Sequence, residues 1–235
     1  MPDEGVVIMT GAASGIGRAA AKALAAKSRP LALVDINARA LAEVVAECRA
    51  VSGGATSGRA VHFACDISDG AAVIQTYEQI RKEYGTPAVL VNCAGVGRFA
   101  PFVELPLAEW SRMLNINVLG TVFFTRAVLP DMIAARSGLI INVSSRMALD
   151  GQPNTTAYAA SKAAIIGMTR ALAAEVAEHG VKVTLLAPGG TKTNIATPKH
   201  EGYMEPEAIA DAIVYITENR GAAWVRDLSV LPLGF

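Results

Sequence analysis

A net charge of either sign is missing from this sequence: 21 lysines and arginines meet 21 aspartates and glutamates. No large uncompensated field draws the chain to nucleic acid or to an anionic lipid surface, and neither is expected as a partner. Charged residues are scarce, at 18%, against 52% hydrophobic, which excludes disorder as the main state. Cysteine is represented only by Cys48, Cys65 and Cys93. They lack metal spacing and are odd in number, so they read as reduced, mostly buried thiols of a cytoplasmic protein. His62, His179 and His200 are too scattered for a zinc site, and no metal is expected. Long apolar runs are absent too. Uncharged stretches such as residues 113–125 stop short of the ~18 residues a membrane span needs, so no membrane partner is expected. The acidic start, Met1-Pro2-Asp3-Glu4, runs straight into Val6-Val7-Ile8-Met9 and does not read as a signal peptide.

What is present is alternation. Short apolar runs at residues 6–9, 31–34, 60–64, 89–91, 139–143 and 181–186 read as strands, and a short run at 228–231 as a last one. The runs are apolar throughout rather than alternating, as expected when both faces of a sheet are covered. Between them, residues 15–26, 38–51, 70–84, 107–135 and 156–179 read as helices, and 205–217 as a final one. Strand and helix in repeated succession predict a parallel sheet with helices on both faces, joined by right-handed crossovers. At 235 residues this suits one α/β domain spanning 1–235. The Gly/Ser-rich stretch 52–58 reads as a surface loop rather than a boundary. The irregular segment after Pro188, about 190–205, reads as a substrate loop.

Thr10-Gly11-Ala12-Ala13-Ser14-Gly15-Ile16-Gly17 sits where the first strand becomes the first helix. Glycines there permit a tight turn and let a pyrophosphate approach the backbone, while the helix start offers unpaired N–H groups. Asp35 ends the second strand, 18 residues after Gly17, where a carboxylate can accept hydrogen bonds from a ribose diol. The same carboxylate repels a 2′-phosphate, and Ile36 and Ser14 supply no offsetting cation. Arg39 is the nearest one and is expected to point outward. NAD(H) is therefore favoured over NADP(H). The plainer alternative makes Asp35 only the N-cap of the helix beginning at Ala38.

Tyr158 and Lys162 lie four residues apart, on one face of a helix. An isolated tyrosine is a poor base at neutral pH, and a neighbouring ammonium stabilises its phenolate. Ser145 follows the strand ending at Val143 and belongs at the carboxyl edge of the sheet, where its hydroxyl can meet a substrate oxygen. These parts suit proton exchange with an alcohol or carbonyl while a cofactor moves hydride.

On these motifs the whole chain resembles the short-chain dehydrogenase/reductase family. Its cofactor loop is matched by Thr10-Gly-x-x-x-Gly15-Ile16-Gly17, and Asp66-Ile67 matches the acidic residue near adenine and its neighbour. Asn92-Cys93-Ala94-Gly95 matches the Asn-Asn-Ala-Gly segment with Cys93 in place of the second asparagine. Asn117, Ser145, Tyr158 and Lys162 match the catalytic tetrad, and Pro188-Gly189, with Thr191 and Thr193 beyond, matches the segment that holds the nicotinamide. Thr191 stands where the family usually carries Val or Ile. The resemblance implies a doubly wound Rossmann-type sheet of about seven strands, and a homodimer or homotetramer. It makes Tyr158 the acid/base, Lys162 the residue that lowers its pKa and holds ribose, Ser145 the orienter of the substrate oxygen, and Asn117 the holder of a relay water. Cofactor contacts are expected from Gly11, Ala13, Ser14, Gly15, Ile16, Gly17, Asp35, Ile36, Asp66, Ile67, Asn92, Ala94, Gly95, Tyr158, Lys162, Pro188, Gly189, Thr191 and Thr193.

The function expected is hydride transfer between NAD(H) and a small secondary alcohol or ketone. An NADPH-dependent 3-oxoacyl-carrier-protein reductase is the alternative within the family, and a non-catalytic nucleotide sensor the alternative outside it. Residues 96–102, 146–154 and 195–204 are expected to shape the pocket. Phe99, Phe102, Tyr203 and Met204 are candidates to line it, and Arg146 is expected to face solvent.

Overall fold

The computed structural model describes residues 5–53, 59–195, 201–219 and 223–233. The leader reading at 1–4 and parts of two loop readings, 54–58 and 196–200 with His200, lie outside the described residues. Seven strands form one sheet in the order β3-β2-β1-β4-β5-β6-β7. They are β1 (Val7–Thr10), β2 (Leu31–Asp35), β3 (Ala60–Ala64), β4 (Val89–Asn92), β5 (Gly138–Val143), β6 (Val181–Pro188) and β7 (Asp227–Val230), and every neighbouring pair is parallel. Strands 1 to 3 build outward in one direction and strands 4 to 7 in the other, so the order reverses between β1 and β4. A crevice opens at the carboxyl ends of such strands.

Both faces of the sheet are covered, which explains the unbroken apolar runs. Val7 and Met9 of β1 pack with α1 (Gly15–Ala26), α2 (Ala38–Val51) and α8 (Pro206–Glu218), through Leu24, Val44 and Ile213. Ile8 faces the other way, towards α3 (Gly70–Tyr84), α5 (Gly120–Ala134) and α7 (Thr156–Val176), through Ile80, Phe124, Val128 and Val176. Asn37 caps α2 by accepting from the Ala40 N–H, and Asp69 caps α3 by accepting from Ala71 and Ala72. The cap of α2 is therefore Asn37 and not Asp35.

The helix expected at 107–135 is broken by a wider turn. It runs as α4 (Leu107–Met113), a π-helical segment Leu114–Leu119, and α5. At the junction with α5, Thr121 Oγ1 donates to the Asn117 carbonyl at 2.9 Å, and a Cβ on Gly120 would stand 2.5 Å from Ile67 Cδ1. A residue count at 3.6 per turn does not register such a bulge, which is common at functional sites. By length and composition Leu107–Ala134 could cross a bilayer, although its uncharged stretch 113–125 is too short to do so alone. In this fold its Phe124, Val128 and Met132 are fully buried in the core. The short α6 (Met147–Asp150) lies between β5 and α7.

Candidate active site

The crevice between the two halves is a cleft of about 730 Å³. Its floor is fastened by Thr10. The Thr10 hydroxyl accepts from the Cys93 and Ala94 N–H groups at 3.1 and 3.2 Å and donates to the Val91 carbonyl. At one end lies the turn from β1 into α1. Gly11 sits at φ +69°, and a Cβ there would stand 2.7 Å from Ala94 Cα, so this position needs glycine for conformation and for space. Gly17 lets the start of α1 close on the turn, since its Cβ would lie 2.2 Å from the Gly11 carbonyl oxygen. Ser14 is the N-cap of α1 and forms no side-chain cap, so the first N–H groups of a 12-residue helix face the cleft.

Asp35 is held by two backbone amides. Oδ2 accepts from Ala13 N at 3.1 Å and Oδ1 from Asn37 N at 3.0 Å. Among the described residues no cation neutralises it: Arg18 pairs with Glu47, and Arg39 pairs with Glu43 on the open surface. Ile36 is 70% exposed beside it. Asp66 and Ile67 come from the β3–α3 turn, where Asp66 accepts from Ser68. Pro188, Gly189, Thr191 and Thr193 supply the wall beyond β6, with the Thr191 hydroxyl turned back onto the Gly189 carbonyl at 3.0 Å. This cradle of glycines, open helix N–H groups and a terminal carboxylate fits a nicotinamide dinucleotide.

Tyr158 and Lys162 project from α7 into the other end. Burial pushes the Tyr158 phenol up to about 12, opposed by its hydrogen bond with Ser145. Burial pushes the Lys162 ammonium down to about 8. Lys162 Nζ donates to the Val143 carbonyl at 2.9 Å and lies 6.0 Å from the Tyr158 ring centre. A Cβ on Gly95 would meet that Nζ at 3.3 Å, so the amine is packed against the glycine backbone. The two serines differ in use. The Ser144 hydroxyl donates to the Lys162 carbonyl at 2.8 Å and is committed to α7, whereas Ser145 lies on the cleft beside the phenol. Ser145→Ala is accordingly expected to cut turnover about 10²-fold, as loss of a hydrogen bond to the reacting oxygen does. Ser144→Ala should instead cost about 1 kcal/mol of stability. Steady-state rates and thermal melts of both variants check this, and equal losses of turnover would defeat the assignment to Ser145.

Three expected contacts are placed elsewhere. Asn92 follows Leu90 by two residues on β4 and so shares its face, away from the crevice. Its amide donates to Asn142 at 2.9 Å and Thr125 at 3.1 Å in the core. Ala13 does not line the cleft and contributes its N–H to Asp35. The Asn117 side chain is fully buried and lies behind the lining. It accepts from Val96 N at 2.8 Å and donates to the Val96 carbonyl and Ser161 Oγ at 2.9 and 3.0 Å. It thus clamps the segment after β4 to α7, directly behind Tyr158. The remaining expected residues line the cleft, Cys93 with them, its thiol pushed up to about 11 by burial. Phe99 and Tyr203 also line it, while Phe102 packs edge-on against Trp110 outside it and Met204 joins the core. Arg146 pairs with Asp150 at the surface. Sequence reading did not single out Cys65, Arg112, Ile116 or Thr155 as lining residues. Cys65 directly precedes Asp66 and Thr155 directly precedes α7, and that adjacency was the available signal.

A doubly wound sheet with a dinucleotide cradle at its switch point and a Tyr–Lys–Ser group beside it defines a nucleotide-dependent oxidoreductase. Residues 5–203 match the short chain dehydrogenase profile. The chain belongs to the short-chain dehydrogenase family. It is similar to D-threitol dehydrogenase of Mycolicibacterium smegmatis, at 36% identity over 94% of this chain and 88% of that one. It also resembles the 3-oxoacyl-[acyl-carrier-protein] reductase of Thermotoga maritima, at 32% identity over 92% of each. Among solved structures, the alcohol dehydrogenase from Thermococcus sibiricus complexed with 5-hydroxy-NADP superposes with a TM-score of 0.88 at 26% identity, covering 96% of this chain and 95% of that one. The 3-ketoacyl-(acyl-carrier-protein) reductase from Brucella melitensis complexed with NADH gives 0.88 at 26%, covering 97% and 96%.

Proposed function

We propose that this protein is an NAD(H)-dependent alcohol dehydrogenase or ketone reductase acting on a small secondary alcohol or its ketone. The observation that carries the reading is the pairing of two ends of one cleft: Asp35, with no cation of the described residues beside it, at one, and Tyr158 with Ser145 and Lys162 at the other. The dinucleotide, when bound, supplies or accepts the hydride. The cradle at Gly11, Ser14, Gly15, Ile16 and Gly17 would hold its phosphates, Asp35 its adenosine ribose, and Pro188 to Thr193 its nicotinamide end. Tyr158 exchanges the proton with the substrate oxygen, and Ser145 orients that oxygen. Lys162 holds positive charge behind the phenol and meets the second ribose, and Asn117 fixes the frame that carries Tyr158.

Cofactor choice is tested by calorimetric titration with NADH and NADPH. NADH is expected to bind at least about tenfold tighter, or about 1.4 kcal/mol. Asp35→Ala should lose most of that margin through weaker NADH binding, since it removes both the ribose acceptor and the Ala13 N–H partner. A wild-type preference for NADPH would overturn the Asp35 argument. Cofactor choice does not by itself separate this reading from a 3-oxoacyl-carrier-protein reductase, because the Brucella reductase of that kind was solved with NADH. Turnover of small alcohols against acyl-thioester ketones separates the two. A nucleotide sensor would bind cofactor and turn over neither. The exposed Phe102, Val103 and Leu107 at the entry to α4 support a homodimer or homotetramer, read by sedimentation, and the three free cysteines support a cytoplasmic setting.

A further inference from the structure

The wall beside Tyr158 is apolar and closely built. Phe99 meets the Tyr158 ring edge-on, with centroids 5.5 Å apart and planes at 85°. Val96, Met147 and Ile195 pack into the same cluster, and all of them line the cleft. Gly97 lies beneath them. A Cβ there would stand 2.8 Å from Ile195 Cγ2, 3.2 Å from Phe99 Cζ and 3.5 Å from Tyr158 Cδ2. The Ile195 contact is through a methyl on its branched Cβ, which has little freedom to swing aside. Ile195 is therefore seated on bare backbone.

The same device recurs along the segment that follows β6. Thr193 rests on Gly15, where a Cβ would meet it at 3.2 Å, and Tyr203 rests on Gly190, where a Cβ would meet its ring at 2.4 Å. Backbone hydrogen bonds from Lys192 to Met204 and from Met204 to Gly190, at 2.8 and 2.9 Å, tie the two ends of the segment together. Glycine seats thus hold Thr193 against the cofactor turn and Ile195 against the Tyr158 wall.

The cations on the cleft are already engaged. Among the described residues, the charged side chains on the cleft are Asp35, Asp66, Arg112 and Lys162. The two aspartates belong to the β2 and β3 end. Arg112 is bound by Glu109 at 3.0 Å, and Lys162 by the Val143 carbonyl at 2.9 Å. An anionic group placed against Phe99 and Ile195 would lose its hydration, and the two cations of the described residues on the cleft are already held by Glu109 and the Val143 carbonyl.

We propose that Ile195, seated on Gly97, is the specificity-determining roof of the substrate subsite, and that the subsite takes an uncharged carbonyl or alcohol carrying a compact apolar substituent against Phe99 and Ile195. The proposal rests on the reading of Tyr158 as the partner of the substrate oxygen. It sets residue 195 as the control of substrate size and leaves the proton chemistry to Tyr158.

The test reads fit rather than turnover. Fluorescence of bound NADH (or NADPH, if that is what binds) is titrated with 2-propanol, cyclohexanol, 1-phenylethanol and lactate. An alcohol gives no hydride transfer with a reduced cofactor, so the signal reports binding alone. Relative to 2-propanol, Ile195→Ala should tighten 1-phenylethanol about tenfold and Ile195→Phe should weaken cyclohexanol about tenfold, the scale expected for such steric changes in an apolar pocket. Gly97→Ala should weaken the bulky alcohols, and adding Ile195→Ala to it should recover them. Lactate should bind more weakly than 2-propanol. A series insensitive to residue 195, including one with no alcohol binding at all, overturns the roof, and tighter binding of lactate overturns the uncharged class. Turnover that survives Tyr158→Phe would instead defeat the acid/base reading while the size series stands, so the two failures are distinguishable.

Discussion

Tyr158→Phe is expected to lower kcat for ketone reduction at pH 7 by about 10²- to 10⁴-fold, the range a positioned general acid supplies. The ring stays in place, so Phe99 keeps its edge-on partner and NADH affinity should be almost unchanged. The sign of the pH dependence follows from burial. A phenol held up at about 12 is protonated at neutral pH and is ready to give a proton to a carbonyl. Alcohol oxidation needs the phenolate, whose fraction grows as pH rises towards that value. Oxidation in the wild type should therefore climb with pH, by up to about tenfold per unit in kcat/KM, while reduction stays level near neutrality. Lys162, pushed down to about 8, loses its proton through that region, so both reactions should lose support above it. Rates measured in both directions from pH 6 to 10 check this. Oxidation that falls as pH rises from 6 to 8, or a phenylalanine variant that keeps its rate, would remove Tyr158 from the mechanism.

The second large effect is expected from Gly17→Ala. Its Cβ would stand 2.2 Å from the Gly11 carbonyl oxygen, 2.8 Å from the Gly11 carbonyl carbon and 3.1 Å from Ala12 Cα. These neighbours are backbone and cannot rotate aside, so the turn or α1 must move. Overpacking of this kind costs about 1–3 kcal/mol, and backbone obstruction puts this case at the upper end. A chain of this length loses about 2–4 °C of Tm per kcal/mol. The displaced turn also carries the N–H groups that face the cleft, so cofactor affinity should fall at least about tenfold, or about 1.4 kcal/mol. Thermal melts and NADH titration of the variant read the two effects separately. An unchanged Tm with unchanged affinity would mean that the turn accommodates a side chain after all.

Several sequence expectations needed no contacts to be read. The strand and helix succession placed each of the seven strands to within two residues of its position, and the runs 6–9, 31–34 and 89–91 are apolar on both faces, as strands covered on both sides of a parallel sheet are. Tyr158 and Lys162 were paired by their spacing, since four residues on a helix share a face. The glycine turn and Asp35 were legible from strand-end position alone, and Asp35 does lie on the cleft with Gly11 and Gly17. Local spacing carries this information because a helix or strand imposes it on adjacent residues.

Direction and partnership came from elsewhere in the chain. Asn92 read as a cofactor neighbour because it adjoins Ala94 and Gly95, yet the pleat turns it to the same face as Leu90, onto Thr125 and Asn142. Asn117 read, by the family resemblance, as the holder of a relay water. The π-helical turn instead sets it behind the lining, where it joins Val96 to Ser161 across gaps of 21 and 44 residues. Ser145 was preferred to Ser144 by the family's spacing to the tyrosine; both line the cleft, and the Lys162 carbonyl, 18 residues away, takes the Ser144 hydroxyl. The seat of Ile195 on Gly97 is likewise invisible until the two segments meet. Residue order thus laid down the sheet and the glycine turn and put Tyr158 and Lys162 on one helix face through spacing, while the family resemblance supplied their expected roles. Long-range packing then chose which face each polar side chain serves, because burial requires a hydrogen-bond partner and that partner lies on a distant element.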